Sequence, residues 1–167
     1  MKKSYLISLF SVLTGVALDQ YTKILAVKHL QDAPIPIIDG IFELHYLENR
    51  GAAFGMLQNQ RTFFLIVTTI ILICSAILMV KLPETKRTIP LKACIVSVVA
   101  GAIGNLIDRV RLNYVIDFLY FKLIDFPIFN VADIYVTVAA FVLIFLILFY
   151  YKESELEAFY EKIGWMK

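Results

Sequence analysis

The sequence predicts an all-α membrane protein, with four transmembrane helices and a small extracytoplasmic β-sheet. Three observations carry this. Of 167 residues, 60% are hydrophobic and only 18% charged, and the mean hydropathy is +0.76. A soluble domain of this size cannot hide so much apolar surface in one core. Four stretches, residues 5–27, 62–80, 91–107 and 131–151, approach the roughly 20 apolar residues that a helix needs to cross a hydrocarbon layer about 30 Å thick. The connection between the first two shows strand and turn chemistry instead. The chain reads as one domain over 1–167, with an extracytoplasmic β region around 32–60 and a cytoplasmic tail around 152–167.

The first stretch follows Lys2 and Lys3 and resembles a signal peptide, with Gly15-Val16-Ala17 as a small-residue cleavage site. Its apolar pattern continues past Asp19 through Ile24-Leu25-Ala26-Val27, which favours an uncleaved anchor. Asp19 and Lys23 are four residues apart with the acid first, the favourable order for an ion pair on one helix face. Beyond it, Ile35-Pro36-Ile37-Ile38, Asp39-Gly40 and Ile41 to Leu47 read as two short strands around a turn. Pro34 and Pro36 confine the first strand to an edge. Phe42, Leu44 and Tyr46 then share a face that rests on the membrane or covers a cleft. Asn49-Arg50-Gly51-Ala52-Ala53-Phe54-Gly55 is a small-residue loop suited to close approach of an extended peptide or a neighbouring backbone.

In the third stretch Gly101, Ala102 and Gly104 form a surface for close helix approach, and Asn105 can bond across it. Asp108-Arg109 reads as a salt-bridged anchor at its end. The fourth stretch opens with Phe129-Asn130-Val131-Ala132-Asp133. In the tail, Leu156, Phe159, Tyr160 and Ile163 recur at helical spacing among four glutamates and Trp165, the pattern of an amphipathic interfacial helix. Lys2, Lys3, Lys81, Lys86, Arg87, Lys92 and Lys152 place both termini in the cytoplasm by the positive-inside rule. The connections 29–61 and 108–130 then lie outside.

Composition excludes several functions. The net charge is +2 and no basic stripe interleaves with aromatics, so no nucleic-acid partner is expected. Cys74 and Cys94 sit in apolar runs without a CxxC spacing and read as buried thiols, and His29 and His45 form no ligand set, so neither metal nor cofactor is expected. No GxSxG and no glycine-rich phosphate loop occurs. Carboxylates remain. A charge at mid-span costs about 2.5–3.5 kcal/mol on insertion scales, so such groups need water or each other. With alternating helix directions Asp19, Lys23, Asn105, Asp108, Arg109, Asp117, Asn130 and Asp133 gather toward the outer face. Asp117 and Asp133 lie in apolar surroundings without an adjacent base. Two readings stay open for them: interfacial helix caps and anchors, or a pair whose mutual repulsion keeps one member protonated, as in an aspartic peptidase. A proton-coupled carrier would put its site near the midplane between repeated, broken helices, and neither feature occurs. A noncatalytic scaffold would tolerate loss of either aspartate.

Five stretches, in order, resemble the bacterial lipoprotein signal peptidase family, also called signal peptidase II: Asp19-Gln20-Tyr21-Thr22-Lys23, Asn49 to Phe54, Gly101 to Arg109, Val115-Ile116-Asp117-Phe118 and Phe129 to Asp133. The resemblance implies an aspartic endopeptidase of the bacterial cell membrane, cutting lipid-modified prolipoproteins before the diacylglyceryl-cysteine. It implies Asp117 and Asp133 as the catalytic dyad, near the outer face. Asp19, Lys23, Asn49, Gly51, Ala52, Asn105, Asp108, Arg109, Asn130 and Ala132 would support or line the site, under the outer sheet. Prolipoproteins and membrane lipids are the expected partners, no cofactor is needed, and a monomer is expected. The chain departs from many relatives in carrying Ile134-Tyr135, where they have a serine directly after the second aspartate.

Overall fold

Long apolar runs become helices and two of the connections between them supply a sheet. The computed structural model describes residues 2–51 and 56–163, so Ala52 and Trp165 lie outside the described residues. The elements are α1 (Lys2–His29), β1 (Ile35–Ile38), β2 (Phe42–Asn49), α2 (Arg61–Lys81), α3 (Ile89–Leu112), β3 (Val115–Tyr120), α4 (Val131–Phe145) and α5 (Glu153–Ile163). Among the described residues, three helical stretches are long and apolar enough to cross a membrane: Arg61–Lys81, Lys86–Leu112 and Val131–Tyr150. Helix α1 matches them in length, but Asp19, Lys23 and Lys28 lower its apolarity, so a fourth span turns on how those charges are paired. Large side chains such as Phe10, Phe141 and Phe149 point outward, 69–75% exposed, which suits contact with lipid rather than water. Cys74 shares this outward surface of α2, contrary to the buried thiol expected; Cys94 is buried.

The sheet is antiparallel in the order β1-β2-β3. Its first two strands match the sequence expectation, with the proline-bearing β1 at the edge and Gly40 at positive φ (71°) in the turn. Strand β3 was not foreseen. It forms because Asn113 ends α3 in the left-handed conformation (φ 67°), which its short polar side chain tolerates. The chain therefore reverses at once and Val115–Tyr120 pairs with β2, Leu47 opposite Asp117 and Asn49 opposite Val115. A register shift between Leu44 and Leu47 bends β2 over the helices. Beneath it Leu44 and Tyr46 pack on Ala26, Leu30, Ile116 and Phe118.

Helix α3 lies between α1 and α4, and small residues make the approach possible. A Cβ on Gly101 would lie 2.5 Å from the Ala132 carbonyl oxygen, and one on Gly104 would lie 2.5 Å from Asp19 Oδ2. At the end far from the sheet, α4 continues into a wider turn in which Tyr151 N bonds Leu146 O at 2.8 Å. There Leu156 and Phe159 of α5 pack against Cys94, Ala139, Leu146 and Tyr151.

Candidate functional site

The two candidate carboxylates come from different elements, Asp117 from β3 and Asp133 from the first turn of α4. Asn130 joins them. As N-cap of α4 it accepts from Asp133 N through Oδ1 (3.0 Å), while Asp133 Oδ2 accepts from Asn130 N (3.1 Å), a reciprocal capping box. Its amide group is thereby turned the other way, and Nδ2 donates to Asp117 Oδ1 at 2.6 Å. Asn49 Nδ2 donates to the other Asp117 oxygen at 2.8 Å, and Asn105 Nδ2 donates to Asp133 Oδ1 at 2.8 Å.

None of these amides is free to flip. The Asn105 carbonyl accepts from Lys23 Nζ at 2.9 Å, the Asn49 carbonyl from Gly51 N at 2.9 Å, and the Asn130 carbonyl from a backbone N–H. Ammonium and peptide N–H groups only donate, so each amide NH₂ must face its carboxylate.

A second layer lies behind. Lys23 Nζ pairs with Asp19 at 2.9 Å and with Asp108 at 2.8 Å, all three groups being buried. Asp19 Oδ1 accepts from Ala132 N (2.9 Å) and Asp108 Oδ2 from Ile116 N (3.2 Å), one tie to α4 and one to β3. The i,i+4 pair expected in α1 is thus present and reaches a second acid. Contrary to the salt-bridged anchor expected, Asp108 does not pair with Arg109, because neighbouring helical residues project about 100° apart. Asp108 turns toward Lys23, whereas Arg109 reaches Gly51 O at 3.5 Å and lies over the Phe64 ring at 4.6 Å.

Asp117 and Asp133 both line a cavity of ≈ 510 Å³. Asn49, Gly51, Asn105 and Arg109 form its polar side; Phe64, residues 126–129, Ile134 and Val138 form an apolar wall. Burial, and after it the charge of Asp133, pushes the Asp117 carboxyl up to about 7 against the lowering effect of the Asn49 and Asn130 hydrogen bonds. The arrangement can hold one proton on a carboxyl pair at neutral pH. Among the described residues no three His, Cys, Asp or Glu side chains converge as metal ligands.

The described residues of the expected set (Asp19, Lys23, Asn49, Gly51, Asn105, Asp108, Arg109, Asn130 and Ala132) therefore meet around Asp117 and Asp133. Gln20 belongs with them and was missed: its Nε2 donates to Asp108 Oδ1 (2.9 Å) and Gly104 O (3.2 Å). Its position three residues before Lys23 was the available signal. The aromatic wall at 126–129 carried no polar signal at all. Ile134 faces the cavity, while Tyr135 packs toward Gly15.

Comparison with known proteins gives consistent matches. The family model described as Signal peptidase (SPase) II matches residues 11–149. Similar proteins include the lipoprotein signal peptidase of Caldanaerobacter subterraneus subsp. tengcongensis, 48% identical over 80% of this chain and 90% of its own. That of Clostridioides difficile is 41% identical over 83% of this chain and 93% of its own. Among solved structures, a bacterial membrane enzyme determined by the in meso method at 1.9 Å resolution shares 32% identity and a TM-score of 0.75, covering 86% of this chain and 93% of that one.

Proposed function

We propose, for a chain that belongs to the signal peptidase II family, that it is an aspartic endopeptidase cutting lipid-modified prolipoproteins before the diacylglyceryl-cysteine, with Asp117 and Asp133 as its dyad. The observation that carries the reading is Asn130, whose side-chain amide donates to the Asp117 carboxylate and whose backbone N–H donates to the Asp133 carboxylate, while its side-chain oxygen accepts from the Asp133 backbone N–H. Two acids so joined in one cavity share a proton more readily than they hold two charges.

The buried Asp117 keeps the proton, and the more exposed Asp133, at a helix N-terminus, carries the charge. Asp133 takes a proton from water as its oxygen attacks the scissile carbonyl, and Asp117 gives its proton to the developing oxyanion. On collapse of the tetrahedral species the oxyanion proton returns to Asp117. The proton on Asp133 passes to the departing amine nitrogen, and the C–N bond breaks. The apolar wall beside the dyad is where acyl chains would lie, anchoring the scissile bond and lowering the orientational cost of reaction. Asp19 and Lys23 are internally paired, which offsets the cost of charges in a helix and supports α1 as a fourth span. The sheet end then faces outward, both termini are cytoplasmic, and one chain suffices as a monomer.

Purified protein incubated with a lipid-modified precursor tests this. Asp117→Asn and Asp133→Asn should each lower kcat/KM on the order of 10³-fold or more, with the double variant little worse than either. Substantial cleavage by a well-folded variant lacking either carboxylate would sink the dyad.

A further inference from the structure

The cleft does not stop at the dyad. Its cavity shares Asn105, Arg109, Asp133 and Thr137 with a second of ≈ 230 Å³, which shares Val98 and Val136 with a third of ≈ 370 Å³. Together they follow the seam between α2, α3 and α4. On α2 and its C-cap residue the lining positions are 64, 68, 71, 75, 78 and 82, alternating steps of four and three that keep one helix face on the groove. On α4 and the wider turn that continues it they include Asp133, Thr137, Ala140, Leu143 and Ile147, again in steps of three and four. The lining changes along the way from amides and carboxylates to aliphatic and aromatic groups.

The far end abuts α5. Tyr151, Leu156 and Phe159 line the last cavity and belong to the packed cluster at that end. Arg87 pins α5 there: Nε and Nη2 donate to the two Glu155 oxygens at 2.9 and 3.0 Å, and Nη2 also bonds Tyr150 O. Its guanidinium lies 3.8 Å from the Tyr150 ring centroid.

Length decides what fits. From Asp133 to Ile147 the groove follows about 14 residues of α4 and its continuation, roughly 21 Å at about 1.5 Å per residue. A complete membrane helix needs roughly 20 residues and about 30 Å. The apolar core of a signal peptide is about 7–15 residues, which as a helix is roughly 10–22 Å. Resting on the peptidase reading above, we infer that the groove between α2, α3 and α4 seats the apolar core of the signal peptide as a helix and that α5 is its floor. The floor acts as a length gauge, admitting cores of up to about 15 residues and rejecting full-length spans.

Lipid-modified precursors that differ only in core length test the gauge in the purified full chain. Between 14-residue and 20-residue cores the wild-type kcat/KM should fall about tenfold or more, since the longer helix must displace packed side chains of α5. Phe159→Ala and Glu155→Gln should each raise the ratio of long-core to short-core cleavage. Ala140→Phe, which narrows the groove, should lower the ratio for 14-residue over 8-residue cores; Ala140→Leu serves if the phenylalanine variant fails to fold. A photoreactive residue at Leu143 should cross-link the precursor. A flat wild-type length profile, ratios unchanged in the variants, or cross-linking to membrane lipid alone would overturn the gauge while cleavage itself persists. Absence of cleavage of every precursor would overturn the peptidase reading and the gauge with it.

Discussion

Asp19 and Asp108 form one carboxylate pair and Asp117 and Asp133 another, at the same end of the molecule, yet they are held in opposite ways. Asp19 and Asp108 both touch the ammonium of Lys23, at 2.9 and 2.8 Å. A buried lysine touching two acids ties them into one ion-paired cluster, and the group becomes scaffold. Among the described residues, the hydrogen bonds that Asp117 and Asp133 accept come from amides, the side chains of Asn49, Asn105 and Asn130 and the backbone of Asn130. Amides fix position without fixing charge, so a proton can move. Lys23 serves both pairs, because it also bonds the Asn105 carbonyl and so aims that amide at Asp133.

Removing the cation should break the comparison most severely. Lys23→Met leaves two buried carboxylates without their counter-charge and one amide without its orienting donor. Loss of one partner from a buried ionic cluster costs about 3–5 kcal/mol, which thermal unfolding in detergent would report. Adding Asp19→Asn to Lys23→Met should recover part of that loss, since the two positions are coupled. If Lys23→Met unfolds at the wild-type temperature, the scaffold role assigned to the first pair is wrong.

The second pair should respond in the opposite sense. The Asp117 carboxyl lies at about 7 in the folded protein against an ordinary 3.8, so the folded state holds the proton more tightly. That contribution to stability is complete below about pH 4 and is lost as pH rises to about 7. Asp117→Asn cannot titrate. Its stability relative to wild type should therefore improve by on the order of 2–4 kcal/mol between pH 4 and pH 8. A relative stability for Asp117→Asn that stays constant over this range would remove the distinction between the pairs.

The sequence exposed the polar inventory better than its wiring. Apolar runs located the helices because that signal repeats over many residues. Asp19 and Lys23 announced their pairing through a four-residue spacing, but Asp108 reached the same lysine from another helix, which no local pattern encodes. Strand β3 was hidden because six residues following directly on α3 carry too little periodicity to separate from a helix end. Its pairing with β2 is a long-range event, and that pairing puts Asp117 within reach of Asn49. The groove floor was half legible: the amphipathic spacing of Leu156 and Phe159 predicted an interfacial helix, while its clamp by Arg87, 68 residues away from Glu155, needed the fold.

The finest distinction between the pairs lies in a single hydrogen bond. Asn49 Nδ2 donates to Asp117 Oδ2, and this bond lowers the Asp117 carboxyl from where burial and Asp133 would otherwise hold it. Asn49→Ala removes a donor that favours the ionised form, so the Asp117 carboxyl should rise further, by less than about one unit, or about 1.4 kcal/mol. Under the proposed mechanism turnover fails when the shared proton is lost, which is the alkaline limb of the pH–rate profile. That limb should move to higher pH in Asn49→Ala, while the acid limb, set by protonation of the ionised member, moves less. A kcat profile measured with lipid-modified precursor distinguishes this from simple loss of structure, which would lower the rate at every pH without shifting either limb. An alkaline limb that moved to lower pH would mean that Asn49 supports the protonated form, and the roles proposed for Asp117 and Asp133 would have to be exchanged.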